Sequence, residues 1–94
     1  LGGRRRARAK IKVEVRTLDS ILKLMQWKRL DFLSIDTEGT EDAVLRGLDL
    51  EKVRPRVIVV ENWPGVNKSD HILLPLGYKR IERVTGNFTD WYTL

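Results

Sequence analysis

From residue 10 to residue 16 apolar side chains fall at every second position: Ile11, Val13 and Val15 alternate with Lys12, Glu14 and Arg16. That period spells a strand with one wet face. The period then changes. Thr17 is a good helix N-cap and Asp19 a favourable first-turn acid. Leu18, Ile21, Leu22, Leu24 and Met25 form an apolar stripe that predicts a helix to about Trp27. After a basic connection over 28–30, residues 32–35 form a short apolar run suited to burial on both faces of a parallel sheet. The run ends in a carboxylate, Asp36. Thr37, Glu38 and Gly39 turn the chain into a second helix that starts at Thr40 and buries Ala43, Val44, Leu45 and Leu48. Gly47 stands where a left-handed C-cap is expected.

Residues 49–55 read as a charged loop. Val57, Ile58, Val59 and Val60 then form the most strand-like run of the chain, and it too ends in a carboxylate, Glu61. Asn62, Trp63, Pro64 and Gly65 spell a turn. Asn67 or Ser69 is placed to cap a short helix through Ile72, Leu73 and Leu74, which Pro75 and Gly77 should end. Residues 78–84 and 88–94 read as two antiparallel strands joined through Thr85, Gly86 and Asn87. Strands alternating with helices imply right-handed crossovers and an α/β fold. The expected sheet is mostly parallel, with a C-terminal antiparallel hairpin at its edge. Asp36 and Glu61 then share one rim, the carboxyl ends of the parallel strands, where functional groups gather in such folds.

Composition narrows the classes. The chain has 94 residues, 41% hydrophobic and 33% charged, which suits one small globular domain over 10–94. No apolar run approaches the ~20 residues of a membrane span, and no apolar segment follows the basic N-terminus as in a signal peptide. There is no cysteine, so neither a disulfide framework nor a cysteine-based zinc site is available. The expected location is cytoplasmic. The net charge of +5 is concentrated in Arg4, Arg5, Arg6, Arg8 and Lys10. Without them acidic and basic residues balance. Residues 1–9 therefore read as a disordered basic tail. A nucleic-acid role is disfavoured, because no aromatic platform or recognition motif accompanies the arginines.

The acidic rim carries the candidate chemistry. Asp36 and Glu38 read in three ways: a carboxylate accepting a proton from a hydroxyl, oxygen ligands that hold Mg²⁺ together with Glu61, or a helix start in which Asp36 or Thr37 caps the following helix and Glu38 sits at its positive end. The metal reading is the weakest, and no metal is assigned. Glu61 is a rim residue or an ion-pair partner of Arg54 or Arg56. Glu41 reads as a first-turn helix carboxylate. His71 has no second histidine or cysteine beside it and reads as solvated or packed. Trp63, Trp91 and Tyr92 suit packing more than ligand stacking. No nucleophile–base pair and no phosphate loop is present.

Several segments together resemble the C-terminal half of the FkbM-type methyltransferases. They are Thr17-Leu18-Asp19-Ser20-Ile21-Leu22, the stretch from Asp31 to Glu41 with its Asp36-x-Glu38-Gly39-x-Glu41 core, and Val44-Leu45-Arg46-Gly47-Leu48. Pro55 to Glu61, Leu76-Gly77-Tyr78 and Asn87 continue the likeness. The resemblance implies part of a class I, Rossmann-like methyltransferase sheet, with S-adenosylmethionine as cofactor and methyl transfer to the hydroxyl of a small-molecule acceptor. It makes residues 32–36 the fourth strand and 57–61 the fifth. It implies Asp36 and Glu38 as catalytic residues and Glu61, Asn62 and Trp63 as acceptor-binding. The family's glycine-rich cofactor loop has no counterpart here, so the cofactor-binding residues are not assigned. The chain reads as a truncated domain, inactive alone. The alternative reading is a non-catalytic α/β fragment that acts by self-association or partner binding. Residues 31–36 lack their expected neighbour, and that open strand edge predicts a homodimer or a pairing with residues 11–15.

Overall fold

The computed structural model describes residues 9–62, 69–81 and 88–94. The basic tail over 1–8, the turn after Asn62 with Trp63 and Asn67, and the 85–87 connection lie outside the described residues. In chain order the elements are α1 (Leu18–Met25), β1 (Phe32–Ile35), α2 (Glu41–Arg46), β2 (Val57–Glu61), α3 (Ser69–Leu73), a 3-10 turn (Leu74–Leu76), β3 (Lys79–Ile81) and β4 (Thr89–Thr93).

The strands form one mixed four-stranded sheet in the order β1-β2-β4-β3. β1 and β2 are parallel, with Ile35 beside Val60. β4 runs antiparallel to both β2 and β3. The mostly parallel sheet expected from the sequence is thus corrected to one parallel pair among three pairings. Two features cause this. Residues 10–16 are not a strand: they have no regular secondary structure and no ladder, and Ile11, Val13 and Val15 are exposed. An alternating pattern selects a face but supplies no partner for the backbone, and a strand without a ladder does not form. In addition, the C-terminal hairpin inserts β4 next to β2, so its last strand is internal and β3 takes the edge.

The helices pack on one face of the sheet. Leu22 of α1, Leu45 and Leu48 around α2 and Leu73 of α3 share a core with Ile35, Ile58, Val60, Tyr78 and Tyr92. Thr17 caps α1 as its chemistry predicts, accepting the Ser20 N–H on its hydroxyl at 3.1 Å. α1 ends at Met25 through Gln26 in the left-handed region, and only Leu22 of its apolar stripe is buried. Ile21, Leu24 and Met25 are exposed, and Leu18 is partly buried against the core. Ala43 of α2 is exposed as well, where burial was expected. Six residues give α2 fewer than two turns, and Leu45 on the sheet side takes the contact.

Gly47 does close α2, but at φ −83° rather than in the left-handed region. Its value is space: a β-carbon there would stand 3.3 Å from Thr17 Cβ. Gly77 holds the left-handed stop instead, at φ 97° after the Pro75-containing 3-10 turn. β1 also departs from its apolar pattern. Ile35 is buried, but Phe32 and Ser34 are exposed, so one face of this strand is bare.

Candidate functional site: an acidic rim at the ends of the parallel strands

β1 and β2 are parallel and in register, so the residues that follow Ile35 and Val60 emerge side by side. Those residues are Asp36 and Glu61. Their side chains share a hydrogen bond, and that contact pushes the Glu61 carboxyl above the ordinary carboxylate range. Desolvation and then the negative charges of Asp36, Glu41 and Glu38 add to the shift. Two carboxylates in contact cannot both stay ionised at low cost, and a proton held between them removes the repulsion.

The turn after β1 has a built geometry. Glu38 lies in the left-handed region at φ 56°, and Gly39 follows at φ 117°. A left-handed residue other than glycine needs surrounding structure to hold it. Glu41 supplies that structure. Its carboxylate, fully buried, accepts the Thr37 N–H at 2.5 Å on one oxygen and the Gly39 N–H at 3.0 Å on the other. The Thr40 hydroxyl donates to Thr37 Oγ1 at 2.8 Å across the same turn. Glu41 is the first-turn carboxylate expected from the sequence, and it has a further part in the turn before the helix. Glu41 fixes the loop that presents Asp36 and Glu38, both of which are exposed.

Asn62, the next residue after β2, sits differently. It is buried. Its amide donates to Asp90 Oδ2 at 2.6 Å and to the Tyr92 hydroxyl at 3.3 Å, and its carbonyl oxygen accepts from the Ser69 hydroxyl at 3.0 Å. Tyr92 donates in turn to Asp70 Oδ1 at 2.5 Å. Arg80 closes the group, 3.6 Å from Asp70 and 3.8 Å from Asp90. Burial is the main cause that pushes the Tyr92 hydroxyl well above its ordinary range, and its bond to Asp70 adds to it. This network ties α3 to β2 and β4. Sequence reading missed it, although Asp90 and Tyr92 at alternate positions of one strand placed both on the same face.

Other candidates are placed plainly. His71 is exposed on α3. Among the described residues no group of three or more His, Asp or Glu side chains is arranged to hold a metal. Arg54 donates to the Leu76 carbonyl at 2.8 Å and lies over the Tyr78 ring, 5.5 Å from its centre. Trp91 stands exposed against Phe32, ring centres 6.5 Å apart.

An acidic loop between a parallel strand and a helix, with a second strand-end carboxylate beside it, is the arrangement that the alternation of strand and helix predicts. The methyltransferase FkbM domain model matches residues 3–79. The chain belongs to that family. The matched stretch includes the rim, α3 and the start of the hairpin, while β4 lies beyond it. No curated protein and no solved structure matches the chain.

Membership in the FkbM family raises the question of the adenosyl cofactor. The described residues do not fit it by themselves. Among the described residues the glycine-containing turn that follows a strand is the one at Gly39, and its Thr37 and Gly39 amides are committed to the Glu41 carboxylate. Gly77, also at positive φ, ends a helical turn and leads into β3. No helix among the described residues is long and apolar enough to cross a membrane.

Proposed function

We propose that this chain supplies the acceptor side of an S-adenosylmethionine-dependent methyl transfer to a hydroxyl group, and that turnover requires a cofactor-binding part beyond the residues described. The observation that carries this reading is the side-chain contact between Asp36 and Glu61 at the ends of adjacent parallel strands. A hydroxyl must lose its proton as it gains a methyl group, and a positioned carboxylate is a suitable acceptor. Asp36 takes that proton. Glu38, held exposed by the Glu41-braced turn, adds negative charge at the same rim. Glu61 binds the acceptor, Asn62 holds the segment through its buried contacts, and Trp63 is the expected apolar contact.

A second reading has its own support. The outer edge of β1 and the exposed Phe32, Trp91 and Ile81 suit a non-catalytic unit that acts by association. Amide chemical shifts separate the two. Addition of a panel of hydroxyl-rich acceptors such as sugars is expected to shift the amides of residues 34–41 and 59–62. S-adenosylhomocysteine alone is expected to give no heat in calorimetry and no shifts. Silence at the rim with every acceptor sinks the acceptor-side role and leaves association. Tight binding of S-adenosylhomocysteine by this chain would refute the division of labour.

A further inference from the structure

Two features of the chain are complementary and do not meet. The first is the outer edge of β1, which has β2 on one side and no strand on the other among the described residues. The second is the segment over residues 10–16. Ile11, Val13 and Val15 there are 80%, 73% and 92% exposed, although they alternate with charged residues as an amphipathic strand does. An open edge presents unpaired backbone groups, and an extended segment of alternating pattern is what such an edge recruits.

Charge selects between them. β1 is flanked by Asp31 and Asp36, both exposed. The segment over 10–16 begins at Lys10 and ends at Arg16, also exposed. Laid along β1 in either direction, it brings one basic residue towards each acidic end, where Arg16 and Asp31 exchange their partners within the chain, Glu14 and Arg29. Its centre, Val13, falls opposite the centre of β1, near Leu33 and Ser34.

We propose that the segment over residues 10–16 of a second copy of this chain adds to the outer edge of β1, and that the exchange is reciprocal. Each copy donates one segment and receives one, so the assembly is a closed two-fold dimer. The exchange gives the alternating apolar residues a neighbour and the β1 edge its missing ladder. It also explains why a strand-like pattern produces no strand within one chain. The proposal concerns assembly and stands independently of the acceptor-side role.

The chain has no cysteine, so a cross-link can be read cleanly. One preparation carries Val13→Cys and another Ser34→Cys, both at exposed positions. Under mild oxidation the mixture is expected to give the mixed disulfide in clear excess over either homodisulfide. Light scattering on the unmodified chain should give a dimer. Val13→Pro should weaken it at least about ten-fold, because proline removes a ladder hydrogen bond. The helical circular dichroism signal should be unchanged by that substitution, since the segment lies outside the helices. A strict monomer, or a dimer that survives Val13→Pro without change, overturns the proposal. Loss of the dimer on Trp91→Thr with the Val13→Pro dimer intact would assign association to the bare sheet face instead, and would overturn it equally.

Discussion

Leu33, Ile35, Ile58, Val60 and Tyr92 line one face of the sheet, while Phe32, Val59, Trp91 and Ile81 line the other. On the first face Ile58, Val60 and Tyr92 are 0% exposed. On the second, Phe32, Trp91 and Ile81 are 53%, 47% and 51% exposed. The strands and their propensities are the same for both faces, because each strand contributes alternate residues to each. What differs is the cover. All the core-forming helical residues lie over the first face, and Asn62, Asp90 and Tyr92 of the polar network are buried there, with Asp70 at its partly exposed margin. The comparison shows that apolar residues in a strand specify a capacity for burial, and that the connections decide which side realises it. A contiguous exposed apolar patch of this kind marks an interaction surface more often than chance.

Substitutions on each side sharpen the contrast. The largest effect belongs to Leu45→Ala on the covered side. Leu45 is fully buried in the core, and the change should cost about 3 kcal/mol in denaturant unfolding, from lost burial plus the residual cavity. A cost below about 1 kcal/mol would mean that the helical layer is loosely seated. Next comes Tyr92→Phe, which keeps the ring and deletes the hydroxyl that donates to Asp70 and accepts from Asn62. Leaving buried partners unsatisfied should cost about 1–2 kcal/mol in the same assay. The smallest effect is expected on the bare side. Trp91→Thr keeps a strand-forming residue and removes only partly exposed surface, so stability should move by less than about 0.5 kcal/mol. If it fell instead by as much as in Tyr92→Phe, the second face would have to be covered in solution.

Some of this was legible in the sequence. β2 was, because a central strand is apolar on both sides, and Val57 to Val60 has no other reading. The Thr17 cap was legible because its chemistry is local. The alignment of Asp36 with Glu61 followed from alternation of strand and helix. The contact between their side chains did not, because it depends on the register that sets Ile35 beside Val60. The buried network joins Asn62 to Asp90 across 28 positions, and no local pattern reports a contact of that separation. The segment over 10–16 was misread for the opposite reason. Its pattern was clear, but pattern carries no information about whether an edge is within reach. Gly47 and Gly77 make the same point in miniature. Both end helical turns, yet one is needed for its torsion and the other for its lack of bulk.

That lack of bulk at Gly47 links two helices into one cooperative unit. The Asp19 N–H at the start of α1 donates to the Gly47 carbonyl at 2.9 Å, and the Asp49 N–H donates to Asp19 Oδ1 at 2.9 Å. Each helix thus satisfies groups that the other leaves open at its terminus. α1 has eight residues, well short of the ~12–15 at which an isolated helix begins to hold in water. Its persistence is therefore borrowed. α1 opens when the end of α2 opens, and the amides of the two helices should exchange with solvent in a single step rather than in sequence.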